Sequence, residues 1–485
     1  MEAIRRIIED MVAAGNLDGA CGFAEDWLID HPDDPMGFFL AAECRARAGD
    51  LVGAMHLIGH GRNLGGQFPP DFAAPFNNAW IVAPISFGYS EILCRPSAYL
   101  GRWTGGAPSR VQTEAIHALL DLHWQAWCDG DIAPPRRAGV FAGITPKPPA
   151  RPVRLLVAMP RYIRCQPDYV DNDVALNFAA SARAFGLETR VFECDALMDQ
   201  RTDTPYAPED RARARAELDA VLAEFRPDLM VIDGNGVAGE PDGIITPAEW
   251  NDLRRRHGVK ILTFIPDCYD LPDHPKGIGK LSHWEACSDL VNILHPYGYD
   301  YVVSPRRDKV LVTPSLPFEP SLFAGQARER DLAYSLISSN SRFRATLINA
   351  ARGSGLIGVG LVHNRTRAEA PDYPTYVEAI IRAKTSINNG RVYDNAYIIT
   401  GRTCEAILGG SVLLEECATP FDDYYVPFVH YLPYSNYHEL ILLIQVLDGD
   451  ESRRRRITDA ARAFWDGHYS SGHYWTAILD RLGVG

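Results

Sequence analysis

From Val153 onward, short apolar runs alternate with stretches whose apolar residues recur at helical spacing. The runs VRLLVAMP from Val153, TRVFECD after Gly186-Leu187, Asp228–Asp233, Val259–Pro266, Asp289–Leu294 and Val310–Thr313 are too short for helices and predict strands. Val174–Phe185, Glu209–Phe225 and Trp250–His257 predict helices between them. A second series begins near Asp331. Its predicted strands are Ala333–Ser338, Leu356–Gly360, Lys384–Asn388, Ser411–Leu414 and His430–Leu432. Its predicted helices are Arg342–Arg352, Tyr376–Ala383, one opening at Thr400 or Gly401 and stopped by Gly409-Gly410, then Tyr437–Leu447, Ser452–Trp465 and Tyr474–Leu482. Asn389–Tyr397 reads as a polar loop. Strands that alternate with helices imply parallel sheets with right-handed crossovers, so the body is expected to be α/β with two Rossmann-like domains.

The N-terminal part has a different period. Ala14–Ala20 (AGNLDGA) is echoed by Ala48–Ala54 (AGDLVGA), a spacing of 34 residues. That is the tetratricopeptide period, in which each repeat is a pair of helices. Ala24, Trp27, Leu28 and Pro32 fit a second helix and turn, and Phe38–Arg47 fits the first helix of the next repeat. The organisation expected is a small all-α, tetratricopeptide-like region at 1–64 and a connecting region at 65–150. Sheet domains at 151–328 and 329–485 follow. Within the connecting region, Arg110–Cys128 has helical periodicity and carries His117 and His123, which fit packing or surface roles. Ile144–Pro152 is a proline-rich linker.

Composition narrows the function classes. The chain has 485 residues, 46% of them hydrophobic, and a net charge of −14. That balance excludes a nucleic-acid surface and means that any anionic ligand is held locally, by arginine or helix N-termini. No apolar run reaches the roughly 18 residues of a membrane span, and the acidic, amphipathic start is unlike a signal peptide. A cytoplasmic location is expected, with peripheral membrane contact open. The ten cysteines form no C-x-x-C pair. They read as reduced core thiols, Cys128 and Cys404 among them. The four arginines Arg453–Arg456 read as a solvated face, or as an attraction to an anionic membrane surface.

The stretch from Ala383 to Leu414 carries the clearest chemistry. A helix opening at Thr400 or Gly401 beside the strand ending at Asn388 points free N–H groups into the crevice where such sheets bind ligands. Arg402 adds a fixed charge suited to a diphosphate, and Glu405 stands one turn further on. This segment, GRTCEAILGGSVLLEE, resembles the R-x-x-E-A-x-x-x-G motif of GT-B glycosyltransferases, above all the CgeB-like group and the related group 1 families. The resemblance covers the last third of the chain well and the middle third loosely. It implies a nucleotide-sugar donor, UDP- or GDP-linked, used as substrate without a metal, and a glycan or protein acceptor. It makes Glu405 the partner of the ribose. It also makes a basic residue after the second domain's first strand, Arg342 in preference to Arg344, a partner of the diphosphate. Asn388, Thr400, Gly401 and Ser435 complete the expected donor side. Many GT-B enzymes have a second Glu eight residues before the first; here that place is Tyr397, and Asp394 is the nearest carboxylate.

On the acceptor side, the loop after the first strand offers Asp171 and Asp173 as general bases, with helix capping by Asp171 or Asn172 as the competing role. Asp267, at the fourth strand's end, is a third candidate base. The cluster Asp267, Asp270, Asp273 and His274 has no metal-ligand spacing. Asp129-Gly130-Asp131 and Asp448-Gly449-Asp450 read as turns rather than D-x-D metal motifs. A second reading of the whole is a non-catalytic tetratricopeptide-like scaffold built on a degenerate transferase body. In the transferase reading, the N-terminal repeats offer a docking surface for a protein acceptor or partner. Deleting residues 1–64 is then expected to leave nucleotide binding intact and to slow transfer to the natural acceptor. An unchanged transfer rate in the soluble truncated protein would reduce the repeats to a stabilising cap.

Overall fold

A computed structural model describes residues 2–31, 34–47, 106–135, 137–198, 206–234, 245–266, 284–294, 309–324, 329–339, 341–393, 396–416, 420–434 and 437–485. Both series of apolar runs are strands of parallel sheets. The first sheet comprises β1 (Arg154–Met159), β2 (Glu188–Glu193), β3 (Leu229–Asp233), β4 (Lys260–Ile265), β5 (Leu290–Leu294) and β6 (Val310–Thr313). Their order is β2-β1-β3-β4-β5-β6, every pair parallel. The second comprises β7 (Leu332–Ser339), β8 (Gly358–His363), β9 (Ala383–Asn388), β12 (Val412–Glu416) and β13 (Leu432–Tyr434), in the order β13-β12-β9-β7-β8 and again parallel. Two short strands between them, β10 (Arg391–Tyr393) and β11 (Ala396–Tyr397), form a hairpin where the sequence suggested only a loop.

Helices cover the sheets. Those preceding the body are α1 (Glu2–Ala13), α2 (Leu17–Asp30), α3 (Pro35–Arg47) and α4 (Arg110–Asp129). The first sheet domain holds α5 (Asp173–Phe185), α6 (Asp195–Met198), α7 (Pro208–Phe225) and α8 (Pro247–His257). The second holds α9 (Arg342–Gly353), α10 (Tyr373–Arg382), α11 (Gly401–Leu408), α12 (Tyr437–Asp448) and α13 (Glu451–His468), and α14 (Ser471–Leu482) ends the chain.

Local chemistry sets the boundaries. Asn172 caps α5 by accepting from the Val174 N–H, and Gly186 ends it at φ 96°, a left-handed conformation that glycine adopts without steric cost. Helix α10 starts at Tyr373, earlier than periodicity suggests, because Asp372 accepts from the Thr375 N–H and Pro374 sits in the first turn. Strand β8 begins at Gly358, later than expected. Its glycine lies over the Tyr334 ring, where a Cβ would come within 2.4 Å of a ring carbon. The expected strand at His430 is a buried turn in which the ring Nδ1 accepts from the Val426 N–H, and pairing starts at Leu432. Burial pushes the His430 pKa down to about 3.

Three further expectations change. Arg453 and Arg456 are not a solvated face. Both donate to Asp121 of α4, at 2.6 and 2.9 Å, and Arg456 lies over the Trp124 ring. Arg454 donates to the carbonyls of Leu447 and Asp448. This run therefore clamps α4 to the second domain, into whose core α4 buries Ile116 and Leu120. Cys128 is exposed near the end of α4, while Cys404 is fully buried. Gly130 is the left-handed cap of α4, and Asp450 caps α13. His123 packs on the Phe428 ring, and His117 lies 3.4 Å from Asp450.

Helices α1, α2 and α3 pack on one another around Ile8, Ala20, Ala24, Leu28 and Phe38. The turn at Gly15 joins α1 to α2, as the repeat pattern requires. The second copy of the repeat, Ala48–Ala54, lies outside the described residues.

The C-terminal helix leaves its own domain. In α14, Trp475 donates its indole N–H to Ser181 Oγ of α5 at 3.1 Å, and the Tyr474 hydroxyl donates to Asn292 of β5 at 2.9 Å. All four residues are buried. The predicted linker at 144–152 runs along the same helix, where the Lys147 N–H bonds Thr476 Oγ1. Trp475→Ala empties a packed site and removes the donor to Ser181 Oγ, whose own O–H still bonds the Phe178 carbonyl, so it is expected to cost about 3–5 kcal/mol. Trp475→Phe keeps the ring and loses one hydrogen bond, about 1 kcal/mol. Urea unfolding of the two variants against the parent should show that ranking.

Candidate functional site

The loops at the C-terminal ends of both sheets face each other across a cleft of about 800 Å³. Helix α11 opens into it immediately after the hairpin, with Thr400, Gly401, Arg402 and Glu405 on the wall.

Arg402 is held by a chain of buried polar groups. The side-chain N–H₂ of Asn388 donates to both carboxylate oxygens of Glu415, at 3.0 and 2.7 Å. That fixes the amide, so its oxygen must face the other way. There it accepts from Arg402 Nη1 at 2.6 Å and from the Thr400 hydroxyl at 3.0 Å. Arg402 Nη2 donates to Ser338 Oγ at the end of β7, at 2.9 Å. The Nε of Arg402 is buried without a hydrogen-bond partner. Asn388 and Thr400 thus orient the arginine within the cleft. Arg344 lies nearby on α9, its guanidinium held by Ser339 and by the carbonyl of Asn389. It is Arg344 that lines the cleft. Arg342 opens α9, and its side chain lies outside the described residues.

Glu405 is buried at the cleft floor. Tyr376 donates its hydroxyl to one carboxylate oxygen at 2.5 Å, and Tyr373 to the other at 3.5 Å. Tyr373 in turn accepts from Asn177 of α5 at 3.0 Å, so this network spans both domains. Burial pushes the Glu405 pKa up to about 7, the nearby charge of Asp173 adds to the rise, and the two tyrosines and Arg402 oppose it.

Of the expected bases, Asp173 lines the cleft at the start of α5. Burial raises its pKa, opposed first by the charge of Arg365, then by backbone hydrogen bonds at Asp173 and Val174, and least by Arg402. Asp171 also faces the cleft but is exposed and paired with Arg367 at 3.0 Å; the capping role falls to Asn172. Asp267 and Ser435 lie outside the described residues. The neighbour of Ser435, Tyr434, is buried and donates to the Asn388 carbonyl at 2.6 Å. Among the described residues, no group of three or more His, Cys, Asp or Glu side chains could hold a metal, and no helix is long and apolar enough to cross a membrane.

Sequence reasoning missed several lining residues. Tyr373 and Tyr376 are one turn apart at the start of α10, a spacing that could have signalled a shared partner. Asp233 ends β3, in the position where α/β sheets place ligand groups. His363 ends β8 and Arg365 lies in the loop after it, and burial together with the charges of Arg365 and Arg402 lowers the His363 pKa. Arg365 also belongs to a contact between the domains. Its carbonyl accepts from the Val170 N–H, the Arg367 N–H donates to the Asp168 carbonyl, and Tyr169 bridges Thr366.

Residues 341–480 match a family described as glycosyl transferase-like. No curated protein sequence matches the chain. Among solved structures, Anabaena HepE in complex with UDP and glucose is similar at 12% identity and a TM-score of 0.45, over 68% of this chain and 99% of that one. Sucrose-phosphate synthase from Thermosynechococcus elongatus is similar at 11% identity and a TM-score of 0.43, over 68% and 98%. The segment thus resembles a glycosyl transferase-like family, and it falls on the second of two parallel, helix-flanked sheets.

The buried carboxylate makes stability depend on pH. With its native pKa raised to about 7, Glu405 binds a proton more tightly folded than unfolded. Stability is then fullest below the unfolded pKa, falls as pH rises towards 7, and is flat above, a loss of about 3 kcal/mol from this group. The raised pKa of Asp173 pulls in the same direction. Glu405→Gln should remove much of the slope in chemical-denaturation measurements between pH 4.5 and 7.5. Parallel curves for variant and parent would contradict this.

Proposed function

We propose that this protein moves a sugar from a nucleotide-sugar to a hydroxyl acceptor, with the donor on the second sheet domain and the acceptor on the first. One observation carries the reading: a buried carboxylate and a pre-oriented arginine stand one turn apart on α11, at the ligand-binding end of a parallel sheet. The carboxylate of Glu405 accepts from the two ribose hydroxyls, taking over the positions of the tyrosine donors. Arg402 and Arg344 face the diphosphate, and the N-terminus of α11 adds its free N–H groups. Arg342 remains a proposed further partner, as does Ser435.

Transfer breaks the bond between the anomeric carbon and the diphosphate oxygen and forms one to the acceptor oxygen. The acceptor proton passes to a base, for which Asp173 is proposed: it lines the cleft, and its desolvation raises its proton affinity. The leaving diphosphate gains charge as the bond breaks, and arginines already fixed by hydrogen bonds stabilise that charge without reorganising. The N-terminal helices are proposed as the docking surface for a protein acceptor or partner.

Calorimetry with a nucleoside and its diphosphate separates the roles. Glu405→Ala is expected to lose about 30- to 1000-fold in affinity for both ligands, and Glu405→Gln less, since it keeps one acceptor oxygen. Arg402→Ala should weaken the diphosphate and spare the nucleoside. A folded Glu405→Ala protein that binds both like the parent would show that the donor lies elsewhere.

A further inference from the structure

Four arginines gather where the loop after β1 meets the loop after β8: Arg161, Arg164, Arg365 and Arg367. They stand out in a chain of net charge −14. Two of them are committed. Arg367 lies 3.0 Å from Asp171 and Arg161 lies 3.7 Å from it, and both lie over the Tyr162 ring, at 4.9 and 5.1 Å. The other two form no ion pair within 4.0 Å of a described carboxylate. Among the described residues, the polar partner of the Arg164 side chain is Tyr169, to whose hydroxyl it donates at 3.3 Å and over whose ring it lies at 5.3 Å. Arg365 has no side-chain hydrogen bond, although its charge acts on Asp173. Both are exposed and both line the cleft, one from each domain.

The backbone is bent to place them. Arg164 has φ 57° and Arg365 φ 64°, the left-handed region that is unfavourable for any residue carrying a Cβ. Asp195 holds the start of the first loop by accepting from the N–H groups of Arg161 and Tyr162, and the Val170 N–H ties the second loop through the Arg365 carbonyl. Two guanidinium groups without an ion-pair partner among the described residues are therefore presented at one cleft mouth by two loops bonded to each other. A guanidinium fork matches a phosphate or carboxylate group and has no comparable use for a neutral sugar.

We propose that Arg164 and Arg365 form an anion site at the cleft mouth that selects an acceptor carrying a phosphate or carboxylate group beside its reacting hydroxyl. This rests on the transferase reading and deepens it by naming the acceptor class. The donor's diphosphate has its own arginines, Arg344 and Arg402, deeper on the second domain.

The test uses the full chain saturated with UDP and measures binding of glucose, glucose 6-phosphate and glucuronate. Phosphatidylcholine vesicles with and without farnesyl phosphate provide a lipid-borne arm. At least one anion should bind at least about 10-fold tighter than glucose, and Arg164→Gln and Arg365→Gln should each remove about 10-fold of that gain. Arginine-dependent binding to glucose 6-phosphate or glucuronate identifies a free anionic sugar, and arginine-dependent binding only to farnesyl phosphate vesicles a lipid-borne phosphate. Anions that bind no better than glucose, or variants that bind them like the parent, overturn the proposal. So does a loss of about 10-fold in UDP affinity in either variant, which would assign the arginine to the donor. If UDP fails to bind the parent, GDP replaces it, and the donor reading fails when neither binds. The anion arms, run without nucleotide and with thermal unfolding as the check on folding, still decide this site.

Discussion

The orientation of one amide governs the side of the cleft formed by the second sheet domain. Because the Asn388 N–H₂ group donates to both carboxylate oxygens of Glu415, the Asn388 oxygen has no choice but to face Thr400 and Arg402. The pairing is buried between adjacent strands, where breaking it would strand a charge away from water. Everything downstream follows from it: the place of the Arg402 guanidinium, its second contact to Ser338 and the direction in which α11 leaves the hairpin. The side chains at the cleft floor are fixed before any ligand arrives.

The second determinant is the company Glu405 keeps. A carboxylate buried beside Asp173 is costly, and the two tyrosine hydroxyls of α10 only partly relieve it. One of those tyrosines is bonded to Asn177 of the other domain. The same group therefore belongs to the proposed donor chemistry and to the contact between domains.

Much of the fold was legible because its signals are local. Strands buried on both faces appear as continuous apolar runs, and caps such as Asn172 and Gly186 mark helix ends. Arg402 and Glu405 were legible because they share one helix turn. What could not be read depends on partners distant in sequence. Whether Arg453 faces water or Asp121 is decided by how α4 packs, 332 residues away. The same holds for Cys128, which looks apolar in its sequence surroundings yet ends on an exposed turn. Tyr373 lies outside the predicted helix Tyr376–Ala383, and the Glu405 carboxylate it shares with Tyr376 is 32 and 29 residues away in sequence. Arg365 carries no motif at all, and only the meeting of two loops shows where it sits.

The crossing of α14 has a mechanical consequence. The chain enters the first sheet, passes to the second and returns to the first through Tyr474 and Trp475, so the two domains are joined more than once along one side. Across the cleft they meet again through the Val170–Arg365 and Arg367–Asp168 backbone bonds. The first junction is a buried, close-packed hinge and the second an exposed clasp of a few hydrogen bonds. Parting the domains at the clasp breaks a few exposed backbone bonds, whereas parting them at α14 also uncovers Tyr474 and Trp475.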